Sequence, residues 1–180
     1  MTHHRIILFR GMNTGGVRAP VAEQREMAEA MGLANPRTLQ ASGNLVVDSD
    51  RATDGLEAAI EIEMKRRFET KIVAMARTPE RWQALISANP FAKEAEAHPA
   101  RVVAMVMKDG IRPGALGAVQ ALCREGEDVQ AVESSLYFWF PSGQGNSEIF
   151  KKATPRMLGM GTGRNCSTVL KLGEMAEAVA

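Results

Sequence analysis

The 180-residue sequence predicts an α+β fold: two ferredoxin-like (α-β plait) subdomains, the second lacking a final strand, and a C-terminal helix. Three observations predict it. Apolar runs of strand length alternate with longer stretches whose apolar residues recur at helical spacing. Two of the connections are short and rich in turn formers, so they join strand to strand as hairpins. The order strand, helix, strand, strand, helix, strand, which defines the split βαβ arrangement, is complete before residue 78 and recurs without its last strand after residue 101. The halves share this order and no sequence repeat.

The elements follow in order. Ile6, Ile7, Leu8 and Phe9 form an apolar run closed by Arg10 and Gly11, which reads as a buried strand. Pro20 suits the first turn of a helix that ends near Met31 and Gly32. Residues 37–40 and 45–48 are short strands around Ala41, Ser42, Gly43 and Asn44. Thr53 is a good N-cap, and Leu56, Ile60, Met64 and Phe68 then share a helical face. Residues 71–77 are strand-like. Thr78 and Pro79 open a helix that carries Trp82, Leu85 and Ile86 up to Asn89 and Pro90. The polar, alanine-rich residues 91–99 read as a connection, so the subdomains span 1–90 and 101–180 with a link at 91–100.

In the second half, residues 102–107 are a strand, and Pro113 starts a helix with Leu116, Val119, Leu122 and Cys123 on one side. Residues 129–132 and 136–140 form a hairpin across Glu133, Ser134 and Ser135. Asn146 caps a helix bearing Ile149, Phe150 and Met157. Residues 159–168 read as a glycine-rich loop, and a last helix covers 167–178.

Composition excludes several classes. Apolar residues are 45% and charged residues 24%, ordinary for a globular chain. With 22 basic against 21 acidic residues, there is no global field to attract nucleic acid or an anionic membrane. The apolar run near the start is too short for a secretory signal, and no stretch approaches the roughly 18 apolar residues of a membrane span. A cytoplasmic protein is expected. Cys123 and Cys166 form no C-x-x-C pair, so neither a disulfide framework nor a zinc site is expected. Cys123 reads as a buried core thiol and Cys166 as a residue of a polar loop, open to solvent. His3 and His4 read as a frayed end without further ligands. The reading therefore assigns no metal and no cofactor. Neither G-x-S-x-G nor H-E-x-x-H occurs. Glu57, Glu61, Glu63 and the run Lys65, Arg66, Arg67 read as solvated helical faces. The sequence leaves open whether the chain is an enzyme.

Topology singles out one region. The first and second strands run the same way, so the loop after the first and the hairpin after the second leave the sheet at one end. Arg10, Gly11, Asn13, Thr14, Gly15, Gly16 and Arg18 thereby approach Ser42, Gly43 and Asn44. Cations, amides and backbone N–H groups near a helix start suit an anion. The pattern G-x-x-x-G-G matches neither the dinucleotide nor the P-loop fingerprint, and the glycines also serve the turns themselves. In the second polar segment, Gly159 ends one helix and Asn165 or Ser167 caps the next, leaving Thr162 and Arg164 for a ligand. The candidate ligand-binding set is Arg10, Asn13, Gly15, Gly16, Ser42, Gly43, Asn44, Arg164 and Asn165. The ligand class is a small phosphate- or carboxylate-bearing molecule. The sequence does not tell whether residues 159–168 reach the first cluster.

Two other functions compete with ligand binding. Tyr137 and Trp139 face one side of their strand, Phe138 and Phe140 the other. Core packing on both sides is the simpler reading. An open pair would instead make the chain a ligand-free regulatory or assembly module that associates through its sheets, and the oligomeric state stays open. Nucleic-acid binding is disfavoured, because the strand at 45–48 lacks the aromatics on which bases stack in RNA-recognition plaits.

Residues 8–16 (Leu-Phe-Arg-Gly-Met-Asn-Thr-Gly-Gly), 40–46 (Gln-Ala-Ser-Gly-Asn-Leu-Val) and 163–172 (Gly-Arg-Asn-Cys-Ser-Thr-Val-Leu-Lys-Leu), with Asn89-Pro90-Phe91, carry a resemblance. The chain resembles, essentially end to end, the bacterial family known as domain of unknown function 1697. The resemblance implies an α+β protein of two α-β plait subdomains and implies no activity. The family motif falls on Arg10, Gly11, Asn13, Gly15, Gly16, Ser42, Gly43, Asn44, Arg164, Asn165 and Thr168. Cys166 stands where the pattern has tryptophan, which removes a stacking ring, and Gln24 stands where it has an apolar residue.

Overall fold

Four consecutive apolar residues place β1 (His4–Arg10) at the centre of its sheet, with Ile6, Ile7 and Leu8 wholly buried. The computed structural model describes residues 3–12, 19–40 and 43–177 of the chain. Two units divide it, Met1–Gln83 with Lys171–Ala180 and Ala84–Leu170. The chain is α+β, with one four-stranded antiparallel sheet in each unit.

In the first unit, α1 (Val21–Ala30), β2 (Ala34–Thr38), β3 (Asn44–Asp48), α2 (Thr53–Phe68) and β4 (Val73–Arg77) follow β1. The strand order is β2-β3-β1-β4. Ile7 and Phe9 of β1, Leu45 and Val47 of β3, and Ala74 and Ala76 of β4 pack with Met27 of α1 and Leu56, Ile60 and Met64 of α2. The helical spacing read in α2 thus lines this core. Thr53 is the first residue of α2 rather than its cap, a place taken by Ala52 with no side-chain bond. Gln24 is buried among apolar neighbours and stays satisfied, because its Nε2 donates to the Ala19 carbonyl at 2.6 Å.

In the second unit, the chain runs through the end of α3 (Pro79–Ser87), α4 (Ala92–Ala97), β5 (Val102–Met107), α5 (Ala115–Gln120), β6 (Asp128–Val132) and β7 (Ser135–Trp139). Then come α6 (Glu148–Lys152), α7 (Pro155–Leu158), β8 (Gly161–Asn165) and the start of α8 (Cys166–Glu177). The strand order β6-β7-β5-β8 repeats that of the first sheet. Val103, Met107, Val129, Leu136 and Phe138 pack with Val119 of α5, Ile149 of α6 and Leu158 of α7.

Three expectations are corrected here. The second half does have its final strand: β8 pairs with β5 from Val103↔Asn165 to Met107↔Gly161. Its Gly-Thr-Gly sequence hid it, since glycine is a poor strand former. The reason for glycine is steric. A Cβ at Gly161 would lie 2.6 Å from Met107 Sδ and 2.9 Å from the Val106 carbonyl oxygen. Residues 91–99 are not a plain connection but hold α4 and a 3₁₀ turn, Pro99–Arg101. Ser147, not Asn146, caps α6, its Oγ accepting from Ile149 N at 3.1 Å.

Candidate functional site

The end of the first sheet singled out by topology is joined by backbone. Phe9 N donates to the Gly43 carbonyl at 2.9 Å, tying the end of β1 to the β2–β3 hairpin. Gly11 and Gly43 have φ of +91° and +81°, a region that disfavours other residues. A Cβ at Gly11 would sit 3.5 Å from the Lys71 carbonyl oxygen, so the lead into β4 closes the same end. Arg10, half-buried and opposite Val73, and the exposed Lys71 both carry positive charge there. Asn44 is buried and structural in part, since its Nδ2 donates to the Leu39 carbonyl at 3.0 Å across the hairpin. Asn13, Gly15, Gly16 and Ser42 lie outside the described residues.

The opposite end of the sheet holds a cluster that the sequence did not reveal. His4 is not frayed: it is a buried residue of β1 opposite Asp48, and its Nδ1 lies 2.5 Å from Asp48 Oδ1. Asn35 Nδ2 donates to Asp48 Oδ2 at 2.6 Å, from a positive φ of 48° inside the β2 irregularity between Ala34 and Arg37. Arg37 reaches toward Asp48 at 4.0 Å and donates from NH1 to the Met175 carbonyl at 2.7 Å. The four residues come from three strands, which is why no spacing in the sequence announces the cluster. A cleft of about 600 Å³ beside Asp48 is lined by His3, Ser49, Asp50 and Arg51 among others. Among the described residues no group of three or more His, Cys, Asp or Glu can hold a metal ion. No helix there is long and apolar enough to cross a membrane.

Two glutamates read as solvated are not. Glu57 is buried and accepts from Ala76 N at 2.7 Å, and Glu61 accepts from Ala74 N at 2.9 Å. Glu63 does follow the ordinary pattern. It pairs with Arg66 and Arg67 on the surface, and the Arg66 hydrogen bond holds its carboxyl below the usual value.

In the second unit Arg164 donates from NH1 to Thr162 Oγ1 and to the Gly163 carbonyl, both at 2.8 Å. Burial pushes its guanidinium down to about 10, which keeps it charged at neutral pH. Of the two caps the sequence offered, Asn165 and Ser167, it is Asn165 that caps α8, its Oδ1 accepting from Thr168 N at 3.0 Å. Cys166 is buried rather than exposed, accepts from Asn89 Nδ2 at 3.5 Å, and burial raises its thiol. Cys123 is half-buried rather than buried, and burial raises its thiol also.

The aromatic strand packs on both faces. Phe138 and Phe140 stack at 5.8 Å in the core, Tyr137 is wholly buried, and half-buried Trp139 stacks on His98 at 6.3 Å. Tyr137 donates its hydroxyl to the Leu85 carbonyl at 2.7 Å, and burial raises the phenol above its ordinary 10.0. The unfolded phenol therefore ionises first. The stability this group contributes is complete below about pH 10 and falls as pH climbs past it. Tyr137→Phe is expected to cost about 1 kcal/mol at neutral pH, by leaving the part-buried Leu85 carbonyl without its donor. The gap to wild type should narrow above about pH 10, and urea unfolding on either side of that pH measures both effects.

The whole architecture recurs elsewhere. The structure of the conserved bacterial protein SP0830 from Streptococcus pneumoniae superposes with a TM-score of 0.80, covering 98% of this chain and 99% of that one at 19% identity. At that identity the likeness is one of fold. No curated protein matches the chain. The model of the family described as "Protein of unknown function (DUF1697)" matches residues 1–137, which include the Arg10 turn, the β2–β3 hairpin and the Asn89-Pro90-Phe91 segment, and the chain belongs to that family.

Proposed function

We propose that the chain binds a small phosphate- or carboxylate-bearing ligand at the end of the first sheet where Arg10, Gly11, Gly43 and Lys71 meet. The observation that carries this reading is the Phe9 N to Gly43 O bond, which brings two turns of positive φ beside two cations. Turns of this kind expose N–H groups that an anion can accept from. The last turn of α2, which leads into the start of β4 opposite Arg10, adds Lys65, while Arg66 and Arg67 beside it pair with Glu63.

Thermal unfolding against phosphate, sulfate, nucleotides, sugar phosphates and short RNA tests the reading. A ligand that binds only the folded chain at one hundred times its Kd adds about 2.7 kcal/mol, which is readily measured. The expected result is stabilisation by one phosphorylated class, lost in Arg10→Ala/Lys71→Ala when each protein is compared with its own unliganded melting temperature. No stabilisation by any member of the panel counts against an anion site.

A further inference from the structure

Among the described residues β4 is an edge strand, since it pairs there with β1 on one side only. An edge strand presents unpaired N–H and C=O groups to any other strand, and proteins cover or blunt such edges. The other edge of this sheet, β2, is blunted by Pro36, which has no N–H, and by its irregular register. β4 has neither device. Its sequence, Val-Ala-Met-Ala-Arg, is continuous, regular in register and largely apolar.

Its outward groups are met by side chains instead. Residues 74 and 76 alternate with the pairs facing β1, and their N–H groups go to carboxylates: Ala74 N to Glu61 Oε1 at 2.9 Å, Ala76 N to Glu57 Oε1 at 2.7 Å. Glu57 and Glu61 are one helical turn apart on α2, so they match two outward positions of one strand. The Ala76 carbonyl accepts from Arg77 NH1 at 2.8 Å, and that guanidinium lies 3.7 Å from Glu57. A buried carboxylate on a helix face has a desolvation cost that only such charge-assisted bonds offset.

We infer that Glu57, Glu61 and Arg77 close the β4 edge against strand addition, and that removing the two carboxylates exposes a surface on which a second copy of this chain pairs through its own β4. Two copies of one edge meet about a two-fold axis with the same donors and acceptors on each side, so a second copy complements the surface directly. The test compares wild type with Glu57→Ala/Glu61→Ala by sedimentation over a wide concentration range and by amide exchange in dilute solution. The alanine variant is expected to associate with rising concentration more than wild type. Its dilute form should exchange the Ala74 and Ala76 amides roughly tenfold faster. Glu57→Gln/Glu61→Gln keeps an acceptor oxygen at each position and should match wild type in both respects. If the double alanine variant does not fold, Glu61→Ala carries the test, with the Ala74 amide as its readout. A folded alanine variant with unchanged size and exchange, or a glutamine variant that associates as strongly as the alanine one, overturns the inference.

Discussion

Asp48→Ala is expected to destabilise the chain by about 2–6 kcal/mol, because it takes the acceptor from two donors at about 1–3 kcal/mol each. The carboxylate is buried, and it accepts from His4 at 2.5 Å and from Asn35 at 2.6 Å. Its loss strands both donors and removes the anion nearest the Arg37 guanidinium at 4.0 Å. Arg37 Nε and NH2 already lack hydrogen-bond partners among the described residues, so no alternative network is at hand. Three strands lose a common tie, and the melting temperature should fall by about 10 °C or more. Denaturant unfolding of Asp48→Ala, His4→Ala and the double variant measures it. The two single costs should exceed the double cost, because they share one interaction.

Gly161→Val is expected to cost about 3 kcal/mol, at the upper end of the overpacking range. The added carbons would meet Met107 Sδ and the Val106 carbonyl oxygen, and a main-chain oxygen in a paired strand cannot step aside as a side chain can. The loss should concentrate in β8 and its pairing with β5, visible as faster amide exchange at residues 161–165. Gly117→Ala gives the contrast. It lies inside α5 with nothing within 4 Å of a built Cβ, so the substitution should be neutral or stabilise by about 0.5 kcal/mol.

Much of the fold was legible in the sequence because it rests on local signals. The apolar run of β1, the four-residue spacing of Leu56, Ile60 and Met64, the proline after Thr78 and the capping asparagine at 165 each act within one element. What was hidden rests on partners distant in sequence. His4 and Asp48 are 44 positions apart, and only the register of β1 on β3 joins them. Glu57 and Glu61 look like any solvated helix face until β4 turns its edge toward them. β8 was missed for a related reason: glycine at 161 and 163 lowers strand propensity, and the cause is close approach by β5, which lies elsewhere in the chain. Of the candidate site, the meeting of the Arg10 turn with the hairpin followed from topology alone. The turn of Asn44 into its own hairpin did not, because an asparagine side chain serves a ligand or a carbonyl equally well.

The most direct test of anion binding is a titration of the isotopically labelled chain with inorganic phosphate, followed at each backbone amide. Saturable shifts are expected at Gly11 and Gly43 that vanish in Arg10→Ala/Lys71→Ala, with the amides of His4, Asn35 and Asp48 unmoved. Shifts centred on the Asp48 end of the sheet, or no saturable shift at Gly11 and Gly43 with any phosphate-bearing molecule, would contradict the proposed site.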